Sequence, residues 1–238
     1  MIGTWINIGT ILLGSLVGVA FGKRIPLKLQ RLATAMIGLV TIVVGVKLAI
    51  ETGNVLILLL SLLIGGVVGT LARLEDRLEG LGRVLERRLR FLSGGGMSVP
   101  QAFVAASLLF CVGPMAILGA LRDGLFGDWQ LLALKAVMDG VSSVVLVAGL
   151  GPGVVLSVLT VLVYQGGISL VAHALSSGAT IDALAQSPFL IELDAAGGAI
   201  LIALGLKLLD LRDLRVGNLL PALAAAPLLV LLFRAAGV

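Results

Sequence analysis

Leu131–Gly149 reads LLALKAVMDGVSSVVLVAG. The run is long enough to cross a bilayer. Yet it holds Lys135 and Asp139, four residues apart and so on one helix face. Ser142 and Ser143 continue that face. From Lys135 to Ser143 the polar stripe runs about 12 Å. Asp139 falls near the middle of the span, where a carboxylate costs roughly 2.5–3.5 kcal/mol on insertion scales. Such a residue is expected to face a protein interior or a watery cavity.

The rest of the chain fits the same setting. It has 238 residues, of which 59% are hydrophobic and 13% charged, with a mean hydropathy of +1.16. Soluble domains carry about 25% charged residues, so a soluble globular domain is excluded. Strand alternation of the outer-membrane-barrel kind is absent. The expectation is an all-α, polytopic integral membrane bundle forming one domain over residues 1–238. Eight spans are predicted, near 3–22, 32–50, 55–73, 102–121, 131–149, 153–174, 189–209 and 218–233. The last contains Pro221 and Pro227, and seven spans result if it does not cross. The opening MIGTWINIG has no basic segment before its apolar run, which predicts a retained span rather than a cleaved signal. The glycines at 14, 18 and 22 share a four-residue spacing that lets a neighbouring helix approach.

The charges orient the bundle. Loops 23–31, 73–90 and 207–215 carry four, six and three of the 17 basic residues. With eight spans all three loops fall on one side. The positive-inside rule makes that side cytoplasmic and both termini external. Orientation thus accounts for the net charge of +4, and nucleic acid is not an expected partner. Between Leu71 and Leu92, leucines recur every three or four residues among six arginines. This predicts a cytoplasmic, basic amphipathic helix lying on the membrane or the protein, with a Gly-rich joint at Ser93–Gly96; together they occupy 74–96.

An internal repeat is expected as well. GLVTIVVGVKL (Gly38–Leu48) and GAILIALGLKL (Gly198–Leu208) share G-x6-G-x-K-L at an offset of 160. Each precedes a Gly-Asn pair, Gly53-Asn54 and Gly217-Asn218. Two spans five apart run in opposite directions, so this would be an inverted repeat, a common transporter design. The simpler account is that Lys47 and Lys207 snorkel at helix ends and the asparagines cap helices.

Two interruptions flank the Lys135–Asp139 helix. Gly113 and Pro114 are expected to break the fourth span, because an interior proline removes a hydrogen bond. In the sixth, Ser157, Thr160 and Tyr164 line one face at three- and four-residue spacing, and Gln165-Gly166-Gly167 is expected to interrupt the helix. Transporters place substrate and ion groups at such breaks; a kink and close packing are the structural alternative. Asp123 and Asp128 read as turn residues beside glycines. His173 is the only histidine, and HExxH, GxSxG and P-loop patterns are missing. No metal site, cofactor or enzymatic activity is expected. The single Cys111 forms no disulfide within the chain.

GTILLGSLVG, CVGPMAILGALRDGLFGD, LKAVMDGVSSV, GPGVVLS, VYQGGISL and AAGGAILIALGLKLLDLRDLRVGNLLPAL together resemble the YdfK/YqgA type of bacterial membrane protein. That family carries a domain of unknown function. The resemblance covers nearly the whole chain and implies a bacterial inner-membrane protein of this size. It implies no substrate and no catalytic residue.

The expected function is a secondary transporter or channel for a small solute or ion. The candidate pathway residues are Lys135, Asp139, Ser142, Ser143, Gly113, Pro114, Tyr164 and Gln165. The alternative is a scaffold or sensor acting through the basic amphipathic helix. The lipid bilayer is the expected partner, and a homo-oligomer is compatible with either reading.

Overall fold

A computed structural model describes residues 1–22, 26–88, 98–112, 114–174 and 187–235. Its elements are α1 (Ile2–Gly22), α2 (Leu27–Ala49), α3 (Val55–Leu71), α4 (Leu74–Arg88), α5 (Val99–Cys111), α6 (Pro114–Phe126) and α7 (Gln130–Leu150), then α8 (Ser157–Ala174), α9 (Pro188–Leu208) and α10 (Ala222–Ala235). Short 3-10 turns, Pro152–Leu156 and Val216–Leu219, precede α8 and α10. No strand occurs among the described residues. The chain divides into two compact units, Met1–Ile37 with Glu79–Ile181, and Gly38–Leu78 with Asp182–Val238.

In the first unit, α1 and α7 run parallel and pack along most of their length. Glycine makes that approach. A Cβ on Gly14 would overlap the Gly140 carbonyl, and one on Gly18 would stand 2.7 Å from the Val147 Cβ. The small-residue spacing read from the sequence therefore lies on this contact. Gly151, at φ 98°, stops α7 in a conformation that favours glycine. Gly153 then lets the following turn settle against Val99 and Ala102 of α5. α6 and α8 also run parallel, joined where Ser169 Oγ donates to the Ala120 carbonyl at 3.0 Å.

In the second unit, the later part of α2 runs antiparallel to α9. Gly38 faces Gly205, and Gly45 faces Gly198. A Cβ on Gly45 would lie 2.6 Å from the Gly198 carbonyl, and one on Gly198 would lie 2.6 Å from the Gly45 carbonyl. The contact is reciprocal: the first glycine of each segment meets the second of the other. α3 and α10 are likewise antiparallel, with Gly65 against Ala222, and Ile57 packed with Leu229 and Val230. Asn54 caps α3, its side chain accepting from Leu56 N at 3.0 Å. Asn218 caps a different helix, accepting from Glu75 N in the first turn of α4 at 2.9 Å. Arg73, at φ 50°, marks the 56° bend between α3 and α4.

The membrane reading holds in its coarse form. Five helices are long and apolar enough to cross a bilayer, and up to seven if each of two bent pairs is one span. The apolar part of α2, Thr34–Ala49, is shorter. A break falls where the sequence placed one in the fourth span, and three local expectations change. The fourth predicted span is two helices, α5 and α6, meeting at 63°. Pro114 opens α6, where its missing N–H costs nothing, instead of sitting inside a helix. The sixth is not interrupted: α8 is continuous from Ser157 through Gln165, Gly166 and Gly167 to Ala174. Neighbouring helical residues and packing outweigh the propensity cost of two glycines, about 1 kcal/mol each. Asp123 also moves out of the expected turn. It lies within α6, buried, accepting from Gly3 N at 3.1 Å. The Gly-rich joint at 93–96 lies outside the described residues.

Candidate functional site

The contact between α1 and α7 decides what Lys135 and Asp139 meet. Gly3 lies over Leu132 and Thr10 over Gly140. The α1 residue one turn beyond Gly3 is Asn7, so it is delivered between these contacts, opposite the Lys135–Asp139 face. Lys135 Nζ donates to Asp139 Oδ2. Asn7 Nδ2 donates to the same Oδ2 at 3.0 Å, and to Gln165 Oε1 of α8 at 3.0 Å. Gln165 Nε2 reaches Thr4 Oγ1 at 3.3 Å. Gly166 of α8 stands beside Thr4 of α1, its Cβ position 3.6 Å from the Thr4 methyl.

The result is a polar cluster built from three helices of one unit. Asn7 and Gln165 are 0% and 1% exposed, Lys135 and Asp139 6% and 8%. Both Asn7 donors are used, one on a carboxylate and one on an amide oxygen. The Asn7 Oδ1 is buried and has no hydrogen-bond partner. Lys135 brings three N–H donors and gives one to Asp139. The cluster thus holds an acceptor that its own hydrogen bonds leave unused.

The remaining candidates fall out differently. Ser143 is buried, but its Oγ donates to the Asp139 backbone carbonyl at 2.7 Å, one turn back along α7, and not to the carboxylate. Ser142 keeps the Lys135 side of α7, about 20° around the axis from it, but is exposed there. One residue along a helix turns the side chain by about 100°, and Ser143 takes the inward position. Tyr164 is half-buried beside Gln165 in sequence. Pro114 begins α6, and Gly113 lies outside the described residues. Sequence reasoning missed Asn7 and Thr4. The signal was a lone amide within the apolar run MIGTWINIG, which buries well only when other polar groups meet it.

A second polar knot ties the other unit together. Glu75 accepts from Lys207 Nζ at 2.8 Å and from Gly217 N at 2.6 Å. Lys207 also lies 3.4 Å from Asp213. Its ammonium is thus held by carboxylates. Lys47, its counterpart in the repeated motif, is exposed. Among the described residues, no group of three or more His, Cys, Asp or Glu is arranged to hold a metal ion.

Apolar helices with small-residue contacts and a buried ion pair define a multi-spanning helical membrane protein. The chain belongs to the family described as Protein of unknown function (DUF554), which matches residues 2–231. It is similar to the Bacillus subtilis (strain 168) "Uncharacterized membrane protein YdfK", 27% identical over 241 residues, covering 100% of this chain and 99% of that one. It is also similar to the Escherichia coli (strain K12) "Uncharacterized protein YqgA", 27% identical over 228 residues, covering 95% of this chain and 94% of the other. No solved structure matches the chain.

Proposed function

We propose that this protein is a secondary transporter or channel of the bacterial inner membrane, carrying a small solute or ion past the Lys135–Asp139 cluster. The observation that carries the reading is the spare bonding capacity of that cluster. An amide oxygen, Asn7 Oδ1, is buried without a partner beside a lysine and a carboxylate. A purely structural network would be expected to be satisfied throughout, since each orphaned buried polar atom is costly. A site that exchanges a ligand or ion keeps such capacity.

Helix directions support eight crossings and an inverted repeat. Parallel pairs α1/α7 and α6/α8 suit spans separated by an even number of crossings, with α5 and α6 taken as one span. Antiparallel pairs α2/α9 and α3/α10 suit an odd separation. The reciprocal glycine contact between Gly38–Leu48 and Gly198–Leu208 is what a two-fold axis between repeated segments would produce.

The test uses purified protein and a thermal-shift screen against inorganic ions and small metabolites. A ligand that stabilises the wild type should fail to stabilise Asp139→Asn combined with Lys135→Gln, while that double variant inserts at wild-type yield. Wild-type yield, melting and ligand response in Asp139→Asn alone would remove the site.

A further inference from the structure

Another buried carboxylate lies in the other compact unit. Asp194 lies in α9, only 7% exposed, and its Oδ1 is buried with no hydrogen-bond partner. Glu192, two residues earlier, is the instructive contrast. It is 2% exposed, and its carboxylate accepts from Thr52 Oγ1 at 2.7 Å, Gly53 N at 2.8 Å and Asn54 N at 2.9 Å. Glu192 is therefore committed to holding the turn between α2 and α3. Asp194 receives no such set of donors on Oδ1.

The surroundings of Asp194 are negative. Gly198, one turn further along the same face of α9, packs against Ala49, the last residue of α2. Asp194 thus stands beside the C-terminal end of α2, where the helix dipole is negative. The charged neighbour acting on it is Glu51, exposed on the turn just beyond α2. Among the described residues of the packed elements, no cation faces it. Lys47 is exposed and lies about 200° around α2 from both Gly45 and Ala49, which meet α9. α3 carries no charged residue. Arg234 of α10 lies over the Phe189 ring, 5.0 Å from its centroid. Glu192 is turned to its own donors.

A buried carboxylate oxygen without donors, beside a second carboxylate and a helix C-terminus, requires positive charge from elsewhere. Helix C-terminal ends and carboxylates are the groups that hold small cations inside membrane proteins. We propose that Asp194 binds a monovalent cation, a proton or an alkali-metal ion, admitted past Glu51 at the end of α2. This inference stands independently of the Lys135–Asp139 reading, because the two clusters share no residue.

The experiment is thermal unfolding of the purified full-length protein in detergent. Sodium is exchanged for choline at constant ionic strength, and the series is repeated from acid to alkaline pH. The wild type should melt at higher temperature as sodium rises or as pH falls. Asp194→Asn should lose that response. Loss of a sodium response identifies an alkali-metal site; loss of a pH response without any sodium response identifies a proton site. A response equal to wild type in Asp194→Asn, or a wild type indifferent to both cations, overturns the proposal. If Asp194→Asn gives no folded protein, Glu51→Gln decides. Removing this neighbouring unit charge should raise the cation concentration at half-effect severalfold. An unchanged midpoint would then overturn the proposal.

Discussion

Asn7 is the residue on which the polar cluster turns, since its amide joins α1 to both α7 and α8. Asn7→Leu should leave Gln165 Oε1 short of a donor and Asp139 dependent on Lys135 alone. An orphaned buried acceptor costs about 1–3 kcal/mol. For a chain of this length each kcal/mol lowers the melting temperature by about 2–4 °C, so a fall of several degrees in detergent is expected. Unchanged melting would mean that Asn7 bears no weight in the packed state. Asp139→Asn is a harsher change, because it strands a buried ammonium. Breaking a buried ion pair from one side costs about 3–5 kcal/mol, and Lys135→Gln in the same chain should recover most of that. The two variants, read by membrane yield and melting, separate a need for charge balance from a need for the carboxylate itself.

At the scale of elements, the helix contacts are made by glycines whose neighbours leave no room for a side chain. Gly45→Leu should push α2 off α9, because even its Cβ would lie 2.6 Å from the Gly198 carbonyl. Overpacking of this kind costs about 1–3 kcal/mol or more. Gly9, by contrast, has nothing within 4 Å of a Cβ. Gly9→Ala should be neutral or stabilising by up to about 1 kcal/mol, since alanine is the better helix former. Thermal denaturation of the two variants side by side checks the packing: equal effects would contradict the close contact of α2 with α9. The start of α4 is held as firmly, with Glu75 bonded to Lys207 and Gly217, and Asn218 capping Glu75 N.

For the whole molecule the informative prediction is orientation. Arg83 is exposed on α4, within a loop that carries six of the 17 basic residues, and Glu51 is exposed on the turn after α2. In a Cys111→Ser background, a cysteine at Glu51 should label from outside intact cells, and one at Arg83 only after permeabilisation. Labelling of Arg83→Cys from outside would reverse the proposed topology.

Hydropathy alone determined that this chain is a helical membrane protein, because runs of apolar residues near 20 long have no other stable setting. The sequence also exposed the Lys135–Asp139 pair, since four-residue spacing puts both on one face wherever the helix goes. It located Gly14 and Gly18 as approach points for the same local reason. Only the tertiary structure decided what each face meets. Asn7 and Gln165 are 158 residues apart, and nothing local joins them. Ser142 and Ser143 are adjacent and both lie within about 80° of Lys135 around the helix, and what packs against α7 leaves one exposed and buries the other. Gly166 and Gly167 look like a break, yet α8 continues through them, Gly166 beside Thr4 of α1 and Gly167 in open space. The same holds for Glu192 and Asp194. Both are acidic residues in an apolar helix, and the donors of a distant turn satisfy one and leave the other's Oδ1 bare. Spacing along a chain fixes directions around a helix axis, while partners across the bundle are set by how the helices pack.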